Sequence, residues 1–403
     1  MKKYLWTMLC LALCAPQAHA ERGKPITEKP RPDYDALGIP VGSFIAKPEI
    51  KAGVEFNDNI YAAEDNTESD TIAVIAPELE LNSNWNRHAL NLTAGLNSGL
   101  YASESDENYL DSKLLLNGRL DVQRESYLSG AAGIQRLHEE RTSPDASNAW
   151  KEPAEFTQSN ADLSYMHGLG RTSLTAGAGI TDINFSSVPL VSGGSDDLSL
   201  RDRELKNVNA RVAYELLPTV KPFVAGRYEW RDYDRSEALR DSDGYRLGAG
   251  TGFDLGGVTT GEIFAGYMQQ DYEDREDIKG PWFGMSLLWN VTEMTSVEGR
   301  LQSSVKETTL DNSSGIDAID AGVRVDHELL RNLLVGAFFN YTNDDYESVD
   351  ITDKYYTFGP RVTYLVNRYL SAEASYAHET KDSNESSREY TENLFMISLT
   401  GKY

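Results

Sequence analysis

Charged residues recur at every second position along much of this 403-residue chain, each time against a row of apolar ones. In residues 110–123, Asp111, Lys113, Arg119 and Asp121 alternate with Leu110, Leu114, Leu116, Leu120 and Val122; in residues 297–306, Glu298, Arg300 and Lys306 alternate with Val297, Leu301 and Val305. Arg211, Arg227, Glu229, Arg231, Arg246, Arg324 and Arg361 hold the same position in other segments, with Asp162, Glu215, Asp320, Asp326 and Glu373 beside them. Side chains that alternate in this way stand on opposite faces of a β-strand, so these residues define one wet face of mixed charge. Such a face has two chemical uses. Its charges pair with each other and hold water, or they form a polar track that conducts a hydrophilic solute, the basic residues favouring anionic groups.

Catalysis and metal binding are weaker readings. His138 precedes Glu139 and Glu140, and His378 precedes Glu379, pairs that a hydrolase would need closer support for. His88, His167 and His327 fall at predicted turns with no serine-nucleophile motif beside them, so an enzyme is not expected. Both cysteines, Cys10 and Cys14, lie in the first twenty residues, which excludes a disulfide framework, a Cys-ligated metal and a thiol nucleophile from the rest. No cofactor and no metal site is expected. Asp58, Glu64, Asp65, Glu68 and Asp70 form an acidic stretch with no base among them; it would suit divalent cations, but without calcium-loop spacing a solvated acidic rim is the expected role.

The elements that must position these residues are short alternating segments, about eighteen of them, starting near residues 44, 71, 88, 109, 126, 156, 171, 205, 221, 243, 259, 281, 295, 317, 332, 354, 369 and 389. Tight turns at 124–126, 168–170, 218–220 and 366–368 alternate with long polar stretches at 57–70, 138–155 and 186–204. The expected fold is all-β, a transmembrane antiparallel β-barrel of about eighteen strands with sixteen as the nearest alternative, short periplasmic turns and long acidic extracellular loops. A mean hydropathy of −0.48 fits, because only alternate residues meet lipid. Tyr228 with Trp230, Trp282, Trp289, Tyr355 with Tyr356, and Tyr369 are candidates for the interfacial aromatic belts.

The ends of the chain agree. Lys2 and Lys3, the apolar run 5–15 and Ala18, His19 and Ala20 read as a signal peptide over residues 1–20, cleaved before Glu21. Residues 21–43, with Pro25, Pro30, Pro32 and Pro40, read as an extended periplasmic segment without a core of its own, and residues 44–403 as the barrel. At the other end Phe395, Ile397, Leu399, Gly401 and Tyr403 share one face and end on an aromatic residue, resembling the signal read by the outer-membrane assembly machinery; Gly401 is smaller than that pattern usually carries. Without the first twenty residues, 36 Lys and Arg face 63 Asp and Glu, a formal charge of −27 that argues against nucleic acid as a partner.

A family resemblance rests on particular residues. Pro32, Tyr34, Asp35, Gly38, Ile39, Gly42, Ser43 and Phe44, then Asn57 to Tyr61, then Pro77 followed by Asn84, Trp85, Asn86, Arg87, His88, Ala89 and Leu90, and His138 to Arg141 ahead of Ser143, Pro144 and Asp145, together resemble the family described as putative beta-barrel porin 2, from about Arg31 to the C-terminus. The resemblance implies a Gram-negative outer-membrane protein, some of whose relatives occur among exopolysaccharide or capsule components. The partners expected are outer-membrane lipid and lipopolysaccharide, the assembly machinery and, by association alone, exopolysaccharide secretion components.

Overall fold

The computed structural model describes residues 23–235, 240–310 and 312–403. The signal peptide expected over residues 1–20 lies outside them.

Among the described residues eighteen long strands form one closed sheet: β1 Phe44–Asn57, β2 Asp70–Ser83, β3 Ala89–Tyr101, β4 Tyr109–Gln123, β5 Ser126–His138, β6 Glu155–Leu169, β7 Thr172–Phe185, β8 Arg203–Tyr214, β9 Val220–Tyr233, β10 Ser242–Asp254, β11 Thr259–Tyr272, β12 Ile278–Thr292, β13 Thr295–Lys306, β14 Ile316–Leu330, β15 Leu333–Tyr346, β16 Ile351–Asn367, β17 Leu370–Ser383 and β18 Tyr390–Lys402. Each pairs antiparallel with its sequence neighbours, and β18 returns to β1 from Glu49↔Lys402 to Asn57↔Leu394. The count is therefore eighteen, not sixteen. Closure leaves no long sheet edge for lipid to meet, which the hydrocarbon requires because it cannot hydrogen-bond a free N–H or C=O.

Register is held by the apolar rows. Leu110, Leu114, Leu116 and Leu120 of β4, Val224 of β9, Leu247 of β10 and Ile397 and Leu399 of β18 are all exposed on the outer wall. A slip of one residue would turn each of them into the lumen and its charged neighbours into lipid. Exposed aromatics mark both rims: Tyr165, Tyr214, Trp289, Tyr364, Tyr369 and Tyr403 at the turn end, and Tyr228, Trp230, Tyr245 and Tyr267 at the loop end. Two belt candidates face the other way. Trp282 is buried against Met268, Tyr272, Ile278 and Val305, because it shares a strand face with Ile278 rather than with exposed Met285. Tyr355 cannot share a face with adjacent Tyr356, and it lies inside, 5.2 Å from Lys381 Nζ.

The segment before β1 has no core of its own, yet it is not a free leader. Ile26 N–H donates to Ser296 Oγ at 2.9 Å, and Arg31 donates to Glu328 Oε2 at 2.8 Å and to the Ile26 carbonyl at 2.8 Å, burying both residues on the inner wall of β13 and β14. From there the chain crosses the turn-end mouth to β1 as a strap. Just before β1, residues 39–41 fold back on Phe44–Ala46 (Ile39↔Ala46, Val41↔Phe44), covering the part of β1 that lies below the end of β18. The hairpin turns at Gly42, whose φ of 61° a residue with a Cβ adopts poorly.

Candidate functional site

All fourteen charged candidates stand on the inner face, alternating with the exposed apolar rows, and most are tied to a carboxylate or a cation. The densest group lies on β9 and β10. Glu229 accepts from Arg231 at 2.7 Å and from Arg246 at 2.9 Å, and Arg227 lies 3.2 Å away. Three guanidiniums thus surround one buried carboxylate, and Arg231 also bonds Glu307, which accepts from Tyr233 Oη at 2.7 Å. On β8, Arg211 meets Glu262 at 2.6 Å. Farther round, Lys306 bridges Asp344 at 2.8 Å and Asp320 at 3.6 Å, while Arg324 and Arg361 share Asp326 at 2.7 and 3.1 Å. Glu298 lies opposite Arg324 in register, and Arg300 opposite Gly322. Lys113 pairs with Glu78 at 2.5 Å, Arg119 with Asp121 at 2.7 Å, and Asp111 accepts from His138. Glu215, read as part of this face, lies instead in the β8–β9 turn with Lys221 at 3.2 Å.

Several partners escaped sequence reasoning, among them Glu78, Glu262, Glu307, Asp344 and Glu392. Glu78 and Glu262 alternate correctly in their strands, a signal that was there to be used. Glu307 follows β13 directly and carries no pattern at all. Together they reveal two walls. The inner face of β8–β10 carries Arg203, Arg211, Arg227, Arg231 and Arg246 around Glu229. Half a barrel away, β17, β18, β1 and β2 carry Glu373, Glu379, Glu392, Glu49, Glu55, Glu78 and Glu80 against Lys381 and Lys51, with Lys47 and Lys402 at the turn end. A field therefore runs across the lumen, basic wall to acidic wall.

The β5–β6 loop (139–154) spans that lumen at the outer end. Asp145 accepts from Thr308 Oγ1 at 3.0 Å and from Thr309 N–H at 2.8 Å, on the β13–β14 loop eight strands farther round the barrel. Its base is built firmly: Glu139 takes two 2.8 Å bonds from Arg201, Arg141 bonds Glu107 at 2.5 and 3.0 Å, and Trp150, Ala154, Phe156, Phe185, Val188 and Leu198 pack beneath. Burial alone would push the Arg201 guanidinium down, but Glu139 and Asp145 hold it above its ordinary value. The His–Glu pairs do not form working dyads. His138 stacks on Tyr109 at 3.9 Å and bonds Asp111. His378 bonds Asn393 at 2.9 Å, while Glu379, on the opposite face of the same strand, takes Tyr390 Oη at 2.6 Å.

A closed eighteen-strand sheet, apolar outside and charged within, defines a transmembrane β-barrel of the porin class. The chain belongs to the family described as Putative beta-barrel porin 2, whose model matches residues 31–403. Its place is accordingly the outer membrane. Among solved structures the barrel is similar to Pseudomonas aeruginosa OpdO, 14% identical over 90% of this chain and 98% of that one with a TM-score of 0.48. It is also similar to OccK5 (OpdH) of the same organism, 12% identical over 90% and 99% at 0.46. A third is the ferric enterobactin receptor PfeA, also of P. aeruginosa, 8% identical over 89% and 80% at 0.47. No curated protein sequence matches the chain.

Proposed function

We propose that the barrel gives passage to hydrophilic solutes, with anionic groups drawn along the β8–β10 wall and flux set by the β5–β6 loop. One observation carries this reading: the inner wall is polar and charged through the depth of the membrane, and its turn-end half is wet, with Arg119 and Arg324 each about one third exposed. An eighteen-strand ring is wider than wall side chains alone can fill, as they do in small barrels. The first test is single-channel conductance of the refolded mature protein in a planar bilayer, with selectivity from the reversal potential. Steady anion-selective current supports passage, and a folded barrel without current in any loop variant overturns it.

A second reading has its own observation, the Asp145 latch across the outer end. Under it the barrel does not conduct, and its acidic loops bind a surface glycan or partner. Current in Asp145→Ala but not in the parent protein would identify a closed gate in place of a binding platform. The link to polysaccharide export rests on the family alone; blockade of the current by an acidic oligosaccharide and not by a neutral one of equal length is its test. We also infer that Phe395, Ile397, Leu399 and Tyr403, exposed together on β18, are the row read by the assembly machinery, and that lipopolysaccharide contacts the wall above the outer belt, where Lys206 and Asp232 pair at 3.1 Å.

A further inference from the structure

The barrel wall is not hydrogen-bonded all the way up between β12 and β13. Their ladder ends at Gly284↔Gln302, although β12 stays paired with β11 to Ile278 and β13 with β14 to Lys306. Above the break Pro281 has no N–H to give, and a single hydroxyl replaces the ladder: Ser303 Oγ accepts from Phe283 N–H at 2.9 Å and donates to the Pro281 carbonyl at 3.1 Å. The two edges overlap like shingles. Val305 lies buried behind β12 with Met268, Tyr272, Ile278 and Trp282, and the backbone of Gly315 rests on Tyr272 and Ile278.

The break starts within the membrane and runs up through the outer aromatic belt. Pro281 stands opposite Tyr267 of the outer aromatic belt, and just below it a groove of about 600 Å³ opens on the lipid-facing wall, lined by Ala249, Ile263, Ala265, Phe283, Met285 and Leu301. Acyl chains are what a bilayer presents at that depth. On the lumen side of the same seam, Arg231 approaches the Val305 carbonyl at 3.5 Å. Two buried donors there have no hydrogen-bond partner among the described residues, Arg240 Nη1 and Tyr272 Oη, and the charges around Tyr272 are Glu307, Arg231, Arg240 and Glu229. Buried donors are costly unless met by an acceptor.

From this juxtaposition we propose that the β12–β13 seam is a lateral portal for an outer-leaflet lipid with an anionic headgroup, its acyl chain in the groove and its headgroup toward Arg240 and Tyr272. Passage of a soluble solute is a separate matter, and the portal does not depend on it. Backbone hydrogen bonds hold the two flanking seams, β11–β12 and β13–β14, at this depth, whereas here one hydroxyl and an apolar overlap hold the wall shut.

The test reads Trp282, which stands directly behind the seam. Replacing Trp85, Trp150, Trp230 and Trp289 by Phe in the mature chain leaves it as the reporter, with the native seam intact. In vesicles of phosphatidylglycerol brominated at mid-chain, Trp282 emission should be lost, while a companion retaining Trp150 alone, in the core beneath the outer loops, keeps its emission. An F283C/S303C pair added to the reporter should restore emission when oxidised and lose it again when reduced. Absence of quenching, or quenching that survives the crosslink, overturns the portal, and the first outcome is readable even if the cysteine pair fails to assemble. Phosphatidylcholine with the same brominated chains should quench less, and R240Q should erase that difference. Equal quenching by both lipids in the unaltered reporter overturns the headgroup assignment.

Discussion

Glu229 shows how single residues govern this barrel. Three guanidiniums converge on its carboxylate in a buried setting, where removal of the one counter-charge leaves the cations facing each other. Glu229→Ala is expected to cost about 3–5 kcal/mol, read as a lower urea midpoint for the compact, heat-modifiable band on a gel. For the same reason, reversal of these arginines to glutamate would gather carboxylates around Glu229, so glutamine is the informative replacement. Asp145 is the contrasting case. Its two bonds to the β13–β14 loop are each worth about 1 kcal/mol, so Asp145→Ala should leave the midpoint nearly unchanged while raising single-channel conductance. An unchanged current would show that the loop does not limit the lumen.

At the scale of elements, the strap and the β12–β13 seam depart from the simple alternation of strand and turn. The strap is held at its far end by Arg31, buried beside Glu328. Arg31→Ala should free it, so that a glutamyl endopeptidase cuts after Glu28 in the folded protein faster than in the parent; equal resistance to that of the parent would mean that Ile26 suffices as the anchor. The seam depends on one side chain that stands in for a stretch of ladder. Ser303→Ala strands the Phe283 N–H and the Pro281 carbonyl, a loss of about 1–3 kcal/mol, measured as a lower thermal midpoint in detergent. The neighbouring Ser304→Ala, which leaves that hydroxyl in place, provides the control.

Across the whole molecule, charge is sorted between opposite walls, and that sorting should set ion selectivity. Arg227→Gln with Arg246→Gln removes two cations from the β8–β10 wall and should move the reversal potential toward cation selectivity. The shift should shrink in molar salt, where charges more than about 3 Å apart through water are screened. A reversal potential that does not move would take the arginine wall out of the conducting path.

The sequence by itself determined the eighteen strands, their starts to within about three residues of the structure, and the period-two alternation of charged and apolar residues along them. Those features are local: a period of two and the residues of a tight turn are written in neighbouring positions. It misplaced Trp282 and Tyr355 because composition near a strand end marks an aromatic belt without saying which face the ring takes. The tertiary structure alone decided which charges meet, since partners such as Arg31 with Glu328 and Asp145 with Thr308 lie 297 and 163 residues apart and become neighbours only after the sheet closes. The same closure set the arginine wall opposite the acidic one, laid the β5–β6 loop across the lumen and left β12 overlapping β13. Each depends on how many strands separate two elements around a ring, a quantity that no local pattern of residues contains.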